Sequence, residues 1–318
     1  MDRNIALEFV RVTEAAALAA SRWMGLGNEK KADEAAVTYM RKIFNNIKFE
    51  GTVVIGEGER DEAPMLYIGE KIGKGNGVKI DIAVDPLEGT TVTAEGSNNA
   101  LSVLAAAPHG SFLNAPDIYM DKIAVGPKAK GAISLAKSPE QNIKAVAKKL
   151  KKDVADLTVC ILKRDRHKDL IARVRKMGVR IKLIGDGDVS GAIATAIDNS
   201  GVDLLLGIGG SPEGVIAAAA LKCLGGDFQG RLHPRNDADI KRAKKFGILN
   251  IDKIYTIDEL AKGDKVMFVA TGVTDGSLLR GVQYTSFGAK THSLVMRSAS
   301  GTIRFIETFH NFDKNPDY

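Results

Sequence analysis

The chain has 318 residues, of which 44% are hydrophobic and 26% are charged, a composition that suits a globular protein with one large core or two smaller ones. This composition excludes a disordered protein. The net charge of +6 arises from lysine-rich stretches, which we interpret as solvated helix faces. With only 6% aromatic residues and no interleaving of arginine with aromatic residues, no nucleic-acid partner is expected.

The two cysteines, Cys160 and Cys223, are flanked by apolar residues and have no CxxC neighbour. We predict that both are buried thiols outside any disulfide framework, which suits a reducing cytoplasm. The first residues lead into an amphipathic pattern without a signal-peptide core, and no apolar run approaches the ~20 residues that span a bilayer. We therefore expect a soluble, cytoplasmic protein that does not bind a membrane.

Hydrophobic periodicity predicts mixed helices and strands in the first half of the chain. The predicted elements are helices 3–24 and 29–45, strand 51–55, a short helix 63–72, strands 79–84, 101–107 and 123–126, and helix 139–151. Strand 79–84 alternates apolar and polar residues, and Pro86 and Gly89 after it predict a tight turn out of the sheet. This half ends near residue 155.

The second half alternates strands and helices more regularly. Its predicted elements are strands 157–162, 179–184 and 203–208, helices 167–177, 189–197 and 215–224, strand 265–270, and a hairpin of strands 291–297 and 302–309. Alternation of this kind builds a largely parallel sheet. The sequence therefore predicts an α/β fold with two halves, residues 1–155 and 156–318, packed together in layers.

Acidic residues mark the ends of predicted strands or helices in four places. They are Asp33, Glu57 with Glu59, Asp85 with Glu88, and Glu213. A carboxylate near a helix start, such as Asp33, also complements the helix dipole. In residues 56–59 the glycines permit unusual backbone conformations, and alternate carboxylates point the same way in an extended segment. Asp85 and Glu88 crowd one strand end, so a proton or a cation must lie between them.

Clustered carboxylates without a matching set of thiol or imidazole ligands indicate a hard divalent cation such as Mg²⁺ or Mn²⁺. The five histidines are scattered, without HxxxH or CxxH spacing, which argues against zinc. Four or five carboxylates would overcharge a site with one ion. We therefore expect two or more ions, an arrangement that serves phosphoryl transfer.

Two glycine-containing segments could bind an anion. Residues 207–214 end an apolar strand and open an apolar helix, so bare amide groups would face an anion at the positive helix end. The alternative interpretation is a glycine-rich turn in which Glu213 matches the helix dipole. After Glu88, the amides of Gly89 and Thr90 could also cradle a phosphate. A Walker A loop is absent, and the dinucleotide fingerprint lacks its third glycine.

Residues 85–90, Asp-Pro-Leu-Glu-Gly-Thr, resemble the D-P-[LI]-[DE]-G-[TS] signature of the lithium-sensitive, metal-dependent phosphatases. Further segments, in family order, resemble class II (GlpX-type) fructose-1,6-bisphosphatases; they are residues 54–59, 61–67, 112–117, 186–188 and 207–214. This resemblance covers nearly the whole chain. It implies an αβαβα sugar-phosphatase sandwich, hydrolysis of the 1-phosphate of fructose 1,6-bisphosphate with Mn²⁺ or Mg²⁺ in gluconeogenesis, and a homodimer or homotetramer.

The resemblance also implies roles for individual residues. Asp33 and Glu57 would bind one metal ion, and another would be bound by Asp85, Glu88 and Glu213. Substrate contacts would come from Glu88, Gly89, Thr90, Tyr119, Arg164, Asp165, Arg166, Asp186, Gly187, Asp188 and Gly210. For the mechanism, we expect Thr90 to orient the attacking water or to attack phosphorus itself, and Asp61 or Glu59 is our candidate for proton transfer. From the sequence alone, Asp188 equally suits a plain helix N-cap.

Two alternatives remain open at this point. A related phosphatase acting on inositol phosphates or sedoheptulose 1,7-bisphosphate would share the metal carboxylates and differ in its sugar contacts. A non-catalytic sugar-phosphate-binding regulator would be expected to have lost a metal carboxylate, and the sequence retains them all.

Overall fold

The computed structural model describes residues 4–58 and 65–314. Its contacts divide the chain into two compact units, the first comprising Met1–Ser111 with Asp264–Tyr318 and the second comprising Phe112–Gly263. Each unit contains one sheet with helices packed on it, so the predicted α/β class is confirmed. The division expected near residue 155 falls inside the second unit, because strands on both sides of that position belong to one sheet.

The strands, in chain order, are β1 (Glu50–Ile55), β2 (Lys71–Ile72), β3 (Lys79–Glu88), β4 (Leu101–Pro108), β5 (Tyr119–Val125), β6 (Thr158–Leu162), β7 (Arg180–Ile184), β8 (Leu204–Gly210), β9 (Asp227–Leu232), β10 (Ile254–Thr256), β11 (Met267–Gly272), β12 (Gln283–Thr285), β13 (Gly288–Arg297) and β14 (Thr302–Asn311). The helices are α1 (Ile5–Ser21), α2 (Glu29–Phe44), α3 (Thr90–Ala94), α4 (Pro139–Leu150), α5 (Lys168–Lys176), α6 (Asp188–Ala194), α7 (Ser211–Leu224), α8 (Asp237–Lys245) and α9 (Ile257–Leu260). In the part of the chain that the structure describes, none of them is long and apolar enough to cross a membrane.

The sheet of the first unit has the strand order β12-β13-β11-β4-β3-β1-β2, with β14 paired to β13. Strands β1 and β3 are parallel, and the other pairs are antiparallel. Helix α1 packs against α2 and against four strands of this sheet. Asn28 caps α2 by accepting a hydrogen bond from the Lys31 N–H at 3.0 Å, as expected of a residue type that favours N-caps.

Two local predictions for the first unit are wrong. Strand β3 does not end at Asp85 but runs to Glu88, because a register shift between these residues accommodates Pro86 within the strand. The chain leaves the strand at Gly89, whose φ of +98° suits the start of α3. The predicted helix 63–72 is not formed over residues 65–72, which include β2, and its first two positions lie outside the described residues.

The sheet of the second unit has the strand order β10-β9-β5-β8-β6-β7. Only β6, β7 and β8 are parallel to one another, whereas β5, β9 and β10 pair in antiparallel fashion. The prediction of a largely parallel sheet is therefore wrong. The alternating strand and helix pattern describes the parallel strands correctly, but β9 and β10 lack a strong pattern, and β5 was expected in the other half.

The core of the first unit contains three phenylalanines in mutual contact. The ring centroid of Phe9 lies 5.5 Å from that of Phe49 and 6.4 Å from that of Phe44, both with edge-to-face geometry. All three side chains are fully buried. This cluster joins α1, α2 and the segment before β1.

We expect Phe9→Ala to lower the free energy of unfolding by about 3–5 kcal/mol, because it removes a buried ring and leaves a cavity. The matched control is Phe287→Ala, since that side chain is 69% exposed and its loss should change stability by about 0.5 kcal/mol or less. Urea denaturation followed by circular dichroism measures both. Equal urea midpoints for the two variants would show that Phe9 is not part of the core.

Candidate active site

In the first unit, the predicted metal ligands lie around the carboxyl ends of β1 and β3. These parallel strands pair with Ile55 opposite Ala83. Glu57 lies two residues beyond Ile55, past the end of β1, and Asp85 lies two residues beyond Ala83, within β3, so both are near the same edge of the sheet. Helix α2, which carries Asp33, packs against both β3 and α3.

Gly56 determines how the chain passes Glu57. A Cβ atom at position 56 would lie 2.0 Å from the Leu66 carbonyl oxygen, so only glycine fits. The Glu57 N–H donates to this same oxygen at 3.0 Å. Gly58 has a φ of +130°, which is the unusual backbone conformation that the sequence predicts. Glu59 and Asp61, the candidate proton-transfer residues, lie outside the described residues.

Asp33 is half-buried on α2. Burial raises the pKa of its carboxyl group, and the neighbouring charge of Glu34 raises this pKa further. The helix dipole favours the ionised form, but burial outweighs that effect here. A bound cation would offset this penalty, so the environment of Asp33 is compatible with a metal ligand.

The segment from Asp85 to Thr90 places two carboxylates and a hydroxyl where β3 passes into α3. The Asp85 Oδ1 atom accepts a hydrogen bond from the Leu87 N–H at 3.1 Å, and Glu88 is only 4% exposed. The Thr93 N–H and hydroxyl both donate to the Gly89 carbonyl, at 3.0 and 2.9 Å. These bonds hold Thr90 at the first position of α3, with its side chain half-buried.

The second unit gathers most of the predicted sugar-phosphate contacts at the carboxyl ends of β6, β7 and β8. Tyr119, at the start of β5, pairs with Gly210, at the end of β8. The Cζ atom of Arg166 lies 4.6 Å from the centroid of the Tyr119 ring. The Nε and Nη2 atoms of Arg166 donate to the Ile208 carbonyl at 3.0 and 2.8 Å, which fixes the guanidinium group.

Arg164 connects the ends of two neighbouring strands. Its Nη2 atom donates to the Asp186 Oδ1 atom at 3.3 Å, and its Nη1 atom donates to the Gly185 carbonyl. Asp165 instead is exposed and pairs with Lys168 at 3.0 Å. The structure therefore joins Arg164 to Asp186, whereas Asp165 faces solvent.

His167 fixes the relative position of β6 and β8 beneath Arg166. Its Nε2 atom accepts a hydrogen bond from the Ile208 N–H at 2.7 Å, so its Nδ1–H donates to the Leu162 carbonyl, also at 2.7 Å. Burial lowers the pKa of this histidine, which favours the neutral ring that these two bonds require. No sequence motif had indicated a role for this histidine.

Lys122 is a buried cation that was not among the predicted site residues. Its side chain is 1% exposed, and its Nζ atom donates to the Asp188 Oδ2 atom at 2.7 Å. The N-cap of α6 is Gly187, so the interpretation of Asp188 as that cap is wrong. A lysine among the apolar residues of Tyr119–Val125 was the available signal, but the strand was predicted to begin only at Ile123.

Glu213 has a buried carboxylate oxygen close to this ion pair. Its Oε2 atom has no hydrogen-bond partner among the described residues. Burial raises the pKa of Glu213, Lys122 lowers it and the charge of Asp188 raises it. A Cβ atom at Gly210 would lie 2.0 Å from the Glu213 Oε2 atom, and one at Gly209 would lie 1.9 Å from the Asp188 Oδ2 atom. These two glycines therefore make room for the two carboxylates.

The donor chemistry of these residues fits a hard divalent cation. Within residues 4–58 and 65–314, no three His, Cys, Asp or Glu side chains are grouped closely enough to hold a metal ion by themselves. The candidate donors are nevertheless all carboxylate oxygens, which Mg²⁺ and Mn²⁺ prefer. The unpartnered Oε2 of Glu213 and the raised pKa of Asp33 are both features that a cation would compensate.

Strand ends that carry guanidinium groups, carboxylates and close-packed glycines define an α/β protein suited to phosphorylated ligands. A family model described as bacterial fructose-1,6-bisphosphatase, glpX-encoded, matches residues 3–310. The chain therefore belongs to this family of GlpX-type fructose-1,6-bisphosphatases, and the resemblance inferred from the sequence motifs is confirmed.

Individual relatives agree with the family match along the whole chain. The chain is 48% identical over 331 residues to fructose-1,6-bisphosphatase 1 class 2 of Escherichia coli (strain K12), with coverage of 100% of this chain and 98% of that protein. It is 47% identical over 337 residues to the D-fructose 1,6-bisphosphatase class 2/sedoheptulose 1,7-bisphosphatase of Synechococcus sp. (strain JA-2-3B'a(2-13)), with coverage of 98% and 97%.

We expect Lys122→Met to lower the free energy of unfolding by about 3–5 kcal/mol, because it leaves the buried Asp188 carboxylate without its cation. The double variant Lys122→Met with Asp188→Asn should recover much of this loss. The control is Lys128→Met, because the Lys128–Asp198 pair is exposed and should contribute less than about 1 kcal/mol. Urea denaturation of all three variants tests the Lys122–Asp188 ion pair. Equal destabilisation by Lys122→Met and Lys128→Met would contradict the role of this pair.

Glu213→Gln should stabilise the metal-free protein at about pH 7–8. The measurement is a higher urea midpoint in the presence of a chelator. Because the folded-state pKa of Glu213 is raised, its stabilising contribution is complete below the unfolded pKa and is lost as pH rises through the folded pKa. The variant does not ionise, so its advantage should shrink as pH falls and vanish in acid.

Glu140→Gln should have the opposite effect and slightly lower the urea midpoint at neutral pH. Its hydrogen bonds with Arg173 lower the pKa of Glu140 to about 2, so this exposed pair should contribute a small stability at neutral pH that is lost in strong acid. If Glu213→Gln instead lowers the urea midpoint of the metal-free protein at neutral pH, the ionised carboxylate of Glu213 is not penalised in the folded state.

Proposed function

We propose that this chain hydrolyses the 1-phosphate of fructose 1,6-bisphosphate to fructose 6-phosphate and inorganic phosphate, as a gluconeogenic enzyme. The observation that carries the proposal is the grouping of Tyr119, Arg164, Arg166, Asp186 and Asp188 at one edge of the second sheet. The name of the E. coli relative, which covers the full length of the chain, supports the same substrate.

We further propose that carboxylates bind two or more Mg²⁺ or Mn²⁺ ions. The proposed ligands are Asp33, Glu57, Asp85, Glu88 and Glu213. When bound, such ions neutralise phosphoryl charge and make a nearby water a better nucleophile. The carboxylates supply the negative charge that holds the ions, and the burial of Glu88 and of the Glu213 Oε2 atom limits competition from solvent.

The remaining predicted residues bind and orient the sugar bisphosphate. The Thr90 hydroxyl orients the attacking water or attacks phosphorus itself, and Asp61 or Glu59 transfers a proton. Asp186 and Asp188 accept hydrogen bonds from the sugar hydroxyls. Gly187 and Gly210 also contact the sugar. Trapping a phospho-threonine would favour direct attack by Thr90, whereas inversion at a chiral phosphorus would favour water.

Sedoheptulose 1,7-bisphosphate is the second candidate substrate, because the two Synechococcus relatives are named as phosphatases of both bisphosphates. The two sugars carry the same reacting 1-phosphate and differ in chain length before the distal phosphate. We propose in addition that the protein is cytoplasmic and forms a homodimer or homotetramer, as the family resemblance implies. Its only proposed partner is the sugar bisphosphate, with no nucleic acid and no membrane.

Release of inorganic phosphate from fructose 1,6-bisphosphate, measured with Mn²⁺, with Mg²⁺ and with a chelator, tests the activity. We expect turnover only with a metal ion, and Asp33→Asn should lower kcat by about 100-fold or more at saturating Mn²⁺. The matched control is Glu34→Gln, an exposed carboxylate on the same helix, which should retain activity. Full turnover in the chelator, or equal activity of Asp33→Asn and Glu34→Gln, would contradict the metal assignment.

A further inference from the structure

The Tyr119 ring is contacted by two guanidinium groups, and only one of them was among the predicted substrate contacts. The Arg166 Cζ atom lies 4.6 Å from the ring centroid, and the Arg235 Cζ atom lies 4.8 Å from the same centroid. Both arginines are exposed residues. Each makes a cation–π contact with Tyr119, so the ring holds two positive charges close together.

Arg166 brings a positive charge that no carboxylate in the described part of the chain neutralises. Its two hydrogen bonds go to the neutral carbonyl of Ile208. The charge of Arg235 is paired with the Asp239 carboxylate, so the two arginines and this carboxylate together leave one net positive charge beside the Tyr119 ring. An anion bound between the two guanidinium groups would neutralise that charge.

Arg235 is held in place by its neighbours. Its backbone N–H and its Nε atom donate to the Asp239 Oδ2 atom, at 2.9 and 3.1 Å. Two residues earlier, the backbone N–H of His233 donates to the Tyr119 carbonyl at 2.7 Å, which ties this segment to β5. The side chain of Arg235 is still 54% exposed, so its terminal nitrogens can reach a ligand.

The chemistry of this pair selects a phosphate monoester. Guanidinium groups present planar, paired donors that match phosphate oxygens, and the tyrosine hydroxyl can add a further donor. The phosphate that reacts must lie beside the proposed metal ligands, which are carboxylates. The arginine pair offers only cationic donors, so it suits the other phosphate of a bisphosphate.

We infer that Arg235, together with Arg166 and Tyr119, binds the phosphate of the sugar bisphosphate that is not hydrolysed, and so sets the preference for bisphosphates over monophosphates. This inference rests on the proposed function, because it assigns Arg235 to the same substrate. Arg235 is a specificity-determining residue in this view and takes no part in the bond cleavage.

The first test compares fructose 1,6-bisphosphate with fructose 1-phosphate, which lacks the distal phosphate. Arg235→Met should raise KM for the bisphosphate by about tenfold or more and leave kcat within about twofold. Its kcat/KM for fructose 1-phosphate should stay within about twofold of the wild-type value. Arg235→Lys should restore part of the affinity, because it keeps the charge but loses the planar fork.

The matched control is Lys244→Met, which removes one positive charge from the exposed face of α8 without contact to Tyr119. It should leave the ratio of the two substrates unchanged. If Arg235→Met lowers kcat/KM equally for both substrates, or for neither, the inference is overturned, because a structural role or no role would explain the result.

A binding measurement separates this inference from the proposed activity. Fructose 6-phosphate keeps the distal phosphate, so it should raise the melting temperature of the metal-free wild-type protein and of Lys244→Met, but not of Arg235→Met; fructose alone should raise none. An undiminished shift in Arg235→Met would overturn the inference. By contrast, absence of phosphate release by the wild type with Mn²⁺ would overturn the proposed function, whatever the melting shifts show.

Discussion

The site in the second unit is built around buried negative charge that exceeds the positive charge next to it. Asp188 and Glu213 bring two carboxylates to the ends of β7 and β8, and Lys122 supplies one ammonium group. The ammonium bonds directly to Asp188, so Glu213 keeps a buried oxygen without a partner in the described chain. This arrangement does not stabilise the fold, because a buried oxygen without a partner costs free energy, whereas apolar side chains in the same place would not.

The surrounding backbone is adapted to that charge. The antiparallel pairing of β5 with β8 brings Lys122 and Tyr119 beside the strand that ends at Gly210. His167 spans from the end of β6 to β8 through both ring nitrogens, and Arg166 reaches the same strand through the Ile208 carbonyl. The polar side chains are thus fixed by backbone groups of neighbouring strands, so their positions depend on strand register more than on the loops that carry them.

Much of the fold followed from the sequence, and the failures have identifiable causes. The long helices α1, α2, α4 and α7 and the parallel strands of the second unit have strong periodicity, so they were predicted close to their observed bounds. Strand β3 was cut short at Pro86, because a register shift that lets proline stay in a strand leaves no pattern in a single sequence. The antiparallel pairing of β5, β9 and β10 was missed, because pairing between strands distant along the chain has no local signature.

Site residues divide in a similar way. Motif resemblance identified Tyr119, Arg166 and Asp188, which the structure places at one edge of the second sheet. Lys122 and Arg235 were missed because each matters only through a contact across strands or with a following segment. The sequence could indicate which residue types the chemistry needs, but it could not show which cations stand next to them.

Gly209 and Gly210 have a consequence for how proteins of this kind can diverge. The smallest possible side chain at either position would meet a carboxylate oxygen at 1.9 or 2.0 Å, so the Asp188 or Glu213 side chain would have to move to make room for it. A substitution at either glycine would therefore displace a carboxylate, whereas a substitution at the exposed Arg235 would not. New sugar specificities can for this reason arise more readily at exposed positions such as Arg235 than at these two glycines.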